Sequence, residues 1–427
     1  MERIFPKSLG IIPAALAISV VVFALGQLGN PFNMGLCVVS FIGDIVGALG
    51  LHNNAFSSYI RPEIIGLFFG AFFSTRANAS ARPRAGASPI TKFFLGICVA
   101  FGALVFMGDP LRAFVRLGAG DSNALVGVCG FLCGVAGGTF LLTRGLMLGK
   151  SRSQGRTPSL FLLLFFLLLL LFLLAPDMFS LKFSVAGAGS FHTAPFIGLG
   201  GGLLVGVLLH RSKFCCVAPL RQLLLLRDGR FFYALLAFMG AQLFLNLLFG
   251  TWGMLNQPLA HNNILWSFMA MLLVGLALTF AGGCPLRQFA LASEGDGDAA
   301  MVLLGIFIGA LLANRWDIVA TQGVSVSSAG KLAVVVGLCF CLAIFFFKHR
   351  LAKVHRFANV CDLRDYSVPQ SLQLLKKLLK NLKPLGRITV LLNSNADIEK
   401  EAEEMLLGRS YRFLYRGETL EVQLAEE

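Results

Sequence analysis

Four cysteines that stand between apolar blocks of the chain are the residues best suited to chemistry: Cys37, Cys215, Cys216 and Cys284. Cys284 follows two glycines and precedes a proline, so its thiol stands where a short helix could begin. Such a position favours the reactive thiolate. The alternative is that each is only a small buried apolar side chain. Because Cys215 and Cys216 are vicinal and not spaced as Cys-x-x-Cys, a dithiol redox centre is disfavoured.

Charged and polar residues lie close to these cysteines in the sequence. Arg221 and Arg287 follow Cys215 and Cys284 by six and three residues, and Arg112 follows Asp109 by three. An ionisable residue at membrane depth is costly, so it indicates a substrate pathway or an ion pair. We therefore predict a substrate path that is formed by Cys37, Cys215, Cys284, Asp109, Arg112, Arg221, Arg287, Cys216 and Asn33.

The alternative for the arginines is an ion pair within the protein, either Arg112 with Asp121 or Arg287 with Asp296. The histidines show no metal-ligand spacing, and the sequence has no glycine motif that binds phosphate. We therefore predict no metal, no cofactor and no ATP hydrolysis within this chain, and we assign no catalytic residue.

The composition shows what surrounds these residues. Of 427 residues, 56% are hydrophobic and only 14% are charged, against roughly 25% charged in soluble domains. Most of the chain must therefore lie in lipid, and the net charge of +14 reflects loop topology and not nucleic-acid binding. A spanning helix needs about 20 apolar residues. About ten blocks approach this length, near residues 8–27, 61–76, 92–107, 122–143, 158–176, 195–210, 231–251, 262–281, 298–314 and 330–347.

Lys and Arg favour the cytoplasmic side of short loops. They cluster at residues 76–92, 144–156 and 348–356, and Arg3 and Lys7 precede the first block. Ten spans then place both termini in the cytoplasm. Removal of residues 1–27 as a signal peptide is the alternative, and an internal repeat argues against it.

The repeat joins two pairs of segments. Phe-Met-Gly-Asp-Pro-Leu-Arg at 106–112 is echoed at 280–287 by Phe-Ala-Gly-Gly-Cys-Pro-Leu-Arg, with one extra residue, and Cys37 is echoed by Cys215. In the ten-span arrangement the two halves, about 8–143 and 195–314, cross the membrane in opposite senses. The short segments after Cys37, Asp109, Cys215 and Cys284 are predicted to be re-entrant helices that line a path.

At these residues the sequence resembles the YeeE/YedE family, whose membrane proteins are linked to thiosulfate uptake and, in the YedE branch, to selenium metabolism. The resemblance is closest to the YedE-type selenium transporters. It implies an hourglass of spanning helices in the bacterial inner membrane, with central thiols that touch a sulfur-containing anion at Cys37, Cys215 and Cys284. The segments that carry it lie at 33–37, 59–66, 211–215, 282–287 and 294–299.

The first half departs from this family pattern. Asp109 stands where a cysteine is expected, Ser40 where a second cysteine often follows Cys37, and Gly43 where an arginine is usual. A carboxylate at a constriction repels an anion unless it is protonated or paired with Arg112. The first half is therefore predicted to have either altered selectivity or a mainly structural role.

Residues 348–427 resemble the TusA-like (SirA/YedF-like) sulfur carriers, which implies a small cytoplasmic two-layer α/β sandwich. Val368 occupies the position of the cysteine in the carriers' Cys-Pro-x-Pro motif, so the predicted domain is degenerate and serves as an acceptor or regulatory module. It could bind cytosolic sulfur- or selenium-carrier proteins.

The predicted fold is an all-α polytopic membrane domain over residues 1–347, with about ten spanning helices, short re-entrant helices and an inverted internal repeat, followed by the α/β domain at 348–427. The predicted function is the import of a small sulfur- or selenium-containing anion, without enzymatic activity. Two alternatives stay open: a membrane enzyme that relays the chalcogen atom on its thiols, and a scaffold for cytosolic proteins through residues 350–427.

Overall fold

The structure is a computed structural model of the whole chain. The described residues are 10–78, 83–144, 152–153, 157–253, 260–321, 323, 326–355, 360–362, 389–391, 411–416 and 419–424. The chain divides into two compact units, Met1–Lys348 and His349–Glu427.

Two series of six helices make up most of the first unit. Each series runs in the order long, short, long, long, short, long. The first series is α1 (Ile11–Gln27), α2 (Val38–Ala48), α3 (Pro62–Ala77), α4 (Pro89–Phe106), α5 (Pro110–Gly118) and α6 (Ser122–Thr143). The second series is α8 (Pro195–Ser212), α9 (Ala218–Leu226), α10 (Arg230–Leu248), α11 (Ile264–Ala281), α12 (Pro285–Ser293) and α13 (Gly297–Arg315).

Two helices stand outside these series. Helix α7 (Thr157–Leu174) lies between them in the chain, and α14 (Ser328–His355) follows the second. Strands β1 (Arg84–Ala85) and β2 (Arg152–Ser153) form a short antiparallel ribbon.

Seven segments of the described chain are helical, long and apolar enough to cross a membrane. They are Pro89–Gly118, Ser122–Thr143, Pro195–Ser212, Arg230–Leu248, Ile264–Ser293, Gly297–Arg315 and Ser328–Phe346. These helices indicate a multi-pass membrane protein. The three other predicted spans coincide with α1, α3 and α7, and their crossing stays a prediction.

The helices pair in a pattern that is unchanged when the two series are exchanged. Helix α3 packs on α8 as α1 packs on α10, and α13 packs on α4 as α6 packs on α11. The pairs α1–α8 and α4–α11 join equivalent helices of the two series. This is the pattern expected of two halves related by a two-fold axis.

Glycines allow the closest of these approaches. A Cβ atom at Gly70 of α3 would overlap the carbonyl oxygen of Leu203, and one at Gly202 of α8 would overlap that of Glu63. Without a hydrophobic driving force between helices in lipid, close backbone packing through small residues is a main source of helix association. The α3–α8 pair therefore depends on residues that have no side chain.

The second unit contains four described strands. Strands β3 (Val360–Asp362) and β4 (Thr389–Leu391) pair in parallel, and β5 (Tyr411–Arg416) and β6 (Thr419–Leu424) pair as antiparallel neighbours. Val368 lies outside the described residues. The two-layer α/β sandwich thus stays a prediction.

Candidate functional site

The short helices α5 and α12 begin at equivalent turns. The C-cap residues of α4 and α11 are Met107 and Gly282. Both are in the left-handed conformation, with φ of 62° and 95°. Two residues further on, Asp109 and Cys284 are the N-cap residues of α5 and α12, and a proline follows each. Aligned on these turns, the two copies need no insertion. The extra residue predicted from the two phenylalanines is therefore wrong, because the helix ends set the equivalence.

A reciprocal pair of hydrogen bonds holds each turn against the segment that carries the first cysteine. The Asp109 amide donates to Cys37 Sγ at 3.4 Å, and the Val38 amide donates to Asp109 Oδ2 at 2.7 Å. In the second half the Cys284 amide donates to Cys215 Sγ at 3.3 Å, and the Cys216 backbone bonds the Cys284 thiol. The residues that the sequence repeat aligned therefore meet in the same way in both halves.

Backbone amides from two segments hold the Asp109 carboxylate. It accepts from the amide of Arg112, which caps α5, and from the amides of Val38 and Val39. Asp109 is 1% exposed. An N-cap carboxylate satisfies amides at a helix start that have no other partner. These bonds favour the structural alternative for Asp109 over altered selectivity.

The second half places three thiols together. Cys215, Cys216 and Cys284 are buried, and the side chains of Cys215 and Cys216 are both in hydrogen-bonding contact with that of Cys284. In the first half the Cys37 thiol donates to Ser40 Oγ at 3.1 Å. Cys216 is in electrostatic range of Asp109. The two turns therefore lie near each other inside the first unit.

The predicted arginines reach these turns by different routes. Arg112 Nη1 donates to the carbonyl of Met107, and Arg221 Nη1 donates to the equivalent carbonyl of Gly282 at 3.3 Å. Each thus caps the helix that precedes its turn. Arg287 instead points toward Glu294, with 3.7 Å between Nη1 and Oε1.

The two predicted aspartates take other partners than those expected. Asp121 caps α6 and pairs with Arg116 at 2.7 Å, and Asp296 caps α13 and pairs with Arg84 at 3.3 Å. Sequence reasoning missed Arg116, because its equivalent in the repeat is Leu291.

A second buried ion pair was also missed. Arg61 donates from Nε to Asp44 at 2.7 Å, and its other nitrogens donate to the carbonyls of Phe191 and Ala188. Ser57 completes the group by donating to Asp44. The guanidinium, with a partner for each of its three nitrogens, is a structural tie between α2, the start of α3 and the loop before α8.

An open cavity of about 790 Å³ leads to the first-half turn. Ser40, Met107 and Arg112 lie in its wall together with polar loop residues such as Asn53 and Thr321. Across it the Asn54 amide donates to Asn314 at 2.9 Å. Asn33, in the turn before Cys37, is buried with a φ of 52°, a conformation that asparagine adopts more readily than most residues. Sequence reasoning named Asn33 but none of the cavity residues Asn53, Asn54, Asn314 and Thr321.

The opposite charges near Cys284 do not form a metal site. Within the described part of the chain no group of three or more His, Cys, Asp or Glu side chains could hold a metal ion.

Burial raises the pKa of Glu294, whereas the positive charges of Arg287, Lys213 and Arg84 act in the opposite direction.

The seven apolar helices, the repeated helix pairing and the two buried turns define a multi-pass membrane protein with a pseudo-symmetric centre. Residues 211–383 match the family model Sulf_transp, described as sulphur transport. The match supports the YeeE/YedE family and is consistent with a transporter. It includes Cys215, Cys216 and Cys284 and begins after the first-half turn. A search of curated proteins found no match.

Proposed function

We propose that this protein imports a small sulfur- or selenium-containing anion across the bacterial inner membrane, along a path that passes the two turns. The observation that carries the proposal is the contact of three buried thiols, Cys215, Cys216 and Cys284, next to the turn that begins α12. The match to a sulphur transport family supports a sulfur-containing substrate.

The proposed path begins in the open cavity. Arg112 in its wall attracts an anion, because a charged residue in a cleft raises the local concentration of the opposite charge. Ser40 and Cys37 then offer weak hydrogen bonds on the way to Cys216 and Cys284. Conduction requires contacts that are weak enough for the ion to leave, and S–H donors meet that requirement.

The thiol contacts also favour a second function, a membrane sulfur relay. A thiolate at Cys284 could attack thiosulfate at its outer sulfur, forming a persulfide and releasing sulfite, so that the bond between the two sulfur atoms breaks and its electron pair leaves with sulfite. The neighbouring Cys215 and Cys216 could accept the sulfur atom next. Carrier proteins bound through residues 350–427 would be its acceptors, as in the scaffold alternative.

The test is uptake of radiolabelled thiosulfate and selenite by cells that express the protein, compared with Cys284→Ala at equal membrane level. Cys98→Ala is the matched control, because Cys98 is also buried and also contacts another thiol, that of Cys341. Transport predicts that Cys284→Ala loses uptake and that Cys98→Ala keeps it. Uptake at the empty-vector level for the intact protein would exclude import of these ions.

Mass spectrometry of the protein after exposure to thiosulfate separates import from relay. A persulfide on Cys284 supports the relay, whereas unmodified thiols in a protein that takes up the ion support passage of the intact anion.

A further inference from the structure

Arg287 and Glu294 form a loose contact on the Cys284 side of the centre. Arg287 Nη1 is buried without a hydrogen-bond partner, and the carboxylate of Glu294 lies 3.7 Å from it. The pairs Arg61–Asp44 and Arg116–Asp121 are closed at 2.7 Å. A charged donor that is buried without an acceptor is costly. A second acceptor, such as an anion, could therefore bind to Arg287 Nη1.

The surroundings of this contact carry excess positive charge. Lys213 and Arg84 act electrostatically on Glu294, and Arg211 acts on the neighbouring His210. His210 Nε2 itself lies 3.9 Å from Glu294 Oε1, and its Nδ1 is bonded to Ser74.

Among these described residues the carboxylates are fewer than the cations. Asp296 is already paired with Arg84. Of the two carboxylates, Glu294 and Asp296, only Glu294 is then left to balance the charges of Arg287 and the exposed Lys213.

The first half has no counterpart of this carboxylate. The turn that links α12 to α13 repeats the one that links α5 to α6, since Asp296 N donates to the Leu291 carbonyl and Asp121 N to the Arg116 carbonyl at 3.0 and 3.1 Å. Two residues before each aspartate stand Glu294 and Ala119. The carboxylate thus belongs only to the half that contains the three thiols.

We propose that Glu294 is a built-in competitor for the transported anion, so that an oxyanion leaving Cys284 binds Arg287 in its place and is then released when the carboxylate returns. This inference rests on the proposed function and assigns a second anion site to the path. Arg287 binds the oxyanion through its charge and N–H donors, and Glu294 keeps that binding weak enough for release.

The direct test is uptake kinetics with labelled thiosulfate and selenite in Glu294→Gln and Glu294→Ala, the second of which copies Ala119. Without the competing carboxylate the anion is held more tightly, so KM and the maximal rate both fall, with KM lower by about tenfold for an interaction of ordinary strength. Glu294→Asp keeps the charge and should restore much of the rate. Asp177→Asn removes the same charge at an exposed position and should change neither value.

A binding measurement keeps this test independent of transport. Sulfate, a simple oxyanion, should raise the midpoint of thermal unfolding of the purified full chain more in Glu294→Gln and Glu294→Ala than in the intact protein. If the intact protein transports and both variants keep its KM and its response to sulfate, the competitor role is overturned while the proposed function stands. If the intact protein transports neither ion, the proposed function fails and the sulfate response decides: a stronger response in both variants supports the second anion site, and an equal one excludes it.

Discussion

The two halves of the membrane unit build the same turn and give it different chemistry. Asp109 and Cys284 occupy equivalent N-cap positions, and the side chain of each is hydrogen-bonded to the backbone of an equivalent residue, Val38 or Cys216. In the first half the acceptor is a carboxylate held by backbone amides, and in the second it is a thiol among thiols. The comparison teaches that the same backbone turn accepts either a carboxylate or a thiol at its N-cap position, which leaves this residue open to chemical specialisation.

The ion pairs of the two halves also differ, in their length and in their burial. In the first half Arg61 with Asp44 and Arg116 with Asp121 are closed at 2.7 Å and almost without exposure. In the second half the equivalent aspartate, Asp296, pairs at 3.3 Å with a cation whose side chain is 43% exposed. At this pair of equivalent aspartates, the ion pair of the first half is therefore the shorter and more buried one.

Exchanging the N-cap residues should give the largest effect. Cys284→Asp places a carboxylate among the thiols, where the fold tolerates it, as Asp109 shows. A charge at membrane depth costs about 3 kcal/mol, and an anion also meets a like charge, so uptake should fall by about 100-fold or more, as measured with labelled substrate at equal expression.

The reverse exchange, Asp109→Cys, completes this test. It introduces a thiol but loses a carboxylate acceptor at a helix start, which costs about 1 kcal/mol of stability. Uptake should change less than in Cys284→Asp. Equal losses in the two variants would show that the first-half turn is also part of the anion's chemistry.

Replacing each of the two equivalent aspartates compares the stability that their ion pairs contribute in the two halves. Asp121→Ala leaves the buried Arg116 without its partner, which should destabilise the protein by about 3–5 kcal/mol. Asp296→Ala mainly removes a helix cap and should cost about 1 kcal/mol. Thermal unfolding in detergent measures both, and a cost for Asp296→Ala equal to that for Asp121→Ala would contradict the difference between the two ion pairs.

The smallest effect is expected where α1 meets α10. Gln242 donates to Ser19 across this pair, whereas the equivalent pair, α3–α8, packs through glycines. Side-chain hydrogen bonds between membrane helices average about 0.6 kcal/mol, so Gln242→Leu should lower the unfolding midpoint only slightly. Gly200→Ala is its control, because a Cβ there meets open space.

The repeat could be predicted from the sequence because it preserves turns. The glycines, prolines and aspartates around Asp109 and Cys284 are local signals for a helix end followed by a helix start. The register could not be fixed in the same way, since Phe106 and Phe280 are similar residues at positions that are not equivalent.

The bonds of Asp109 lay beyond sequence reasoning for a different reason. Their donors, Val38 and Val39, come from a segment about 70 residues away, and amides carry no sequence signal. The ion pair of Arg61 was hidden similarly, because its carbonyl acceptors lie in the loop before α8. The sequence alone therefore does not distinguish a residue that lines the path from one that only stabilises the fold.

Helix α7 is an almost pure run of Leu and Phe, a composition typical of a helix that faces lipid. Phe166 of this helix is buried and stacks on Phe68 of α3, with 4.2 Å between the ring centroids, and its ring also lies edge-on to Phe289 of α12 at 5.8 Å. The aromatic rings thus form a mechanical linkage from an outer helix to the short helix that begins at Cys284. A displacement of α12 would disturb the packing of these rings, so the position of the turn that carries Cys284 is coupled to the packing of α7.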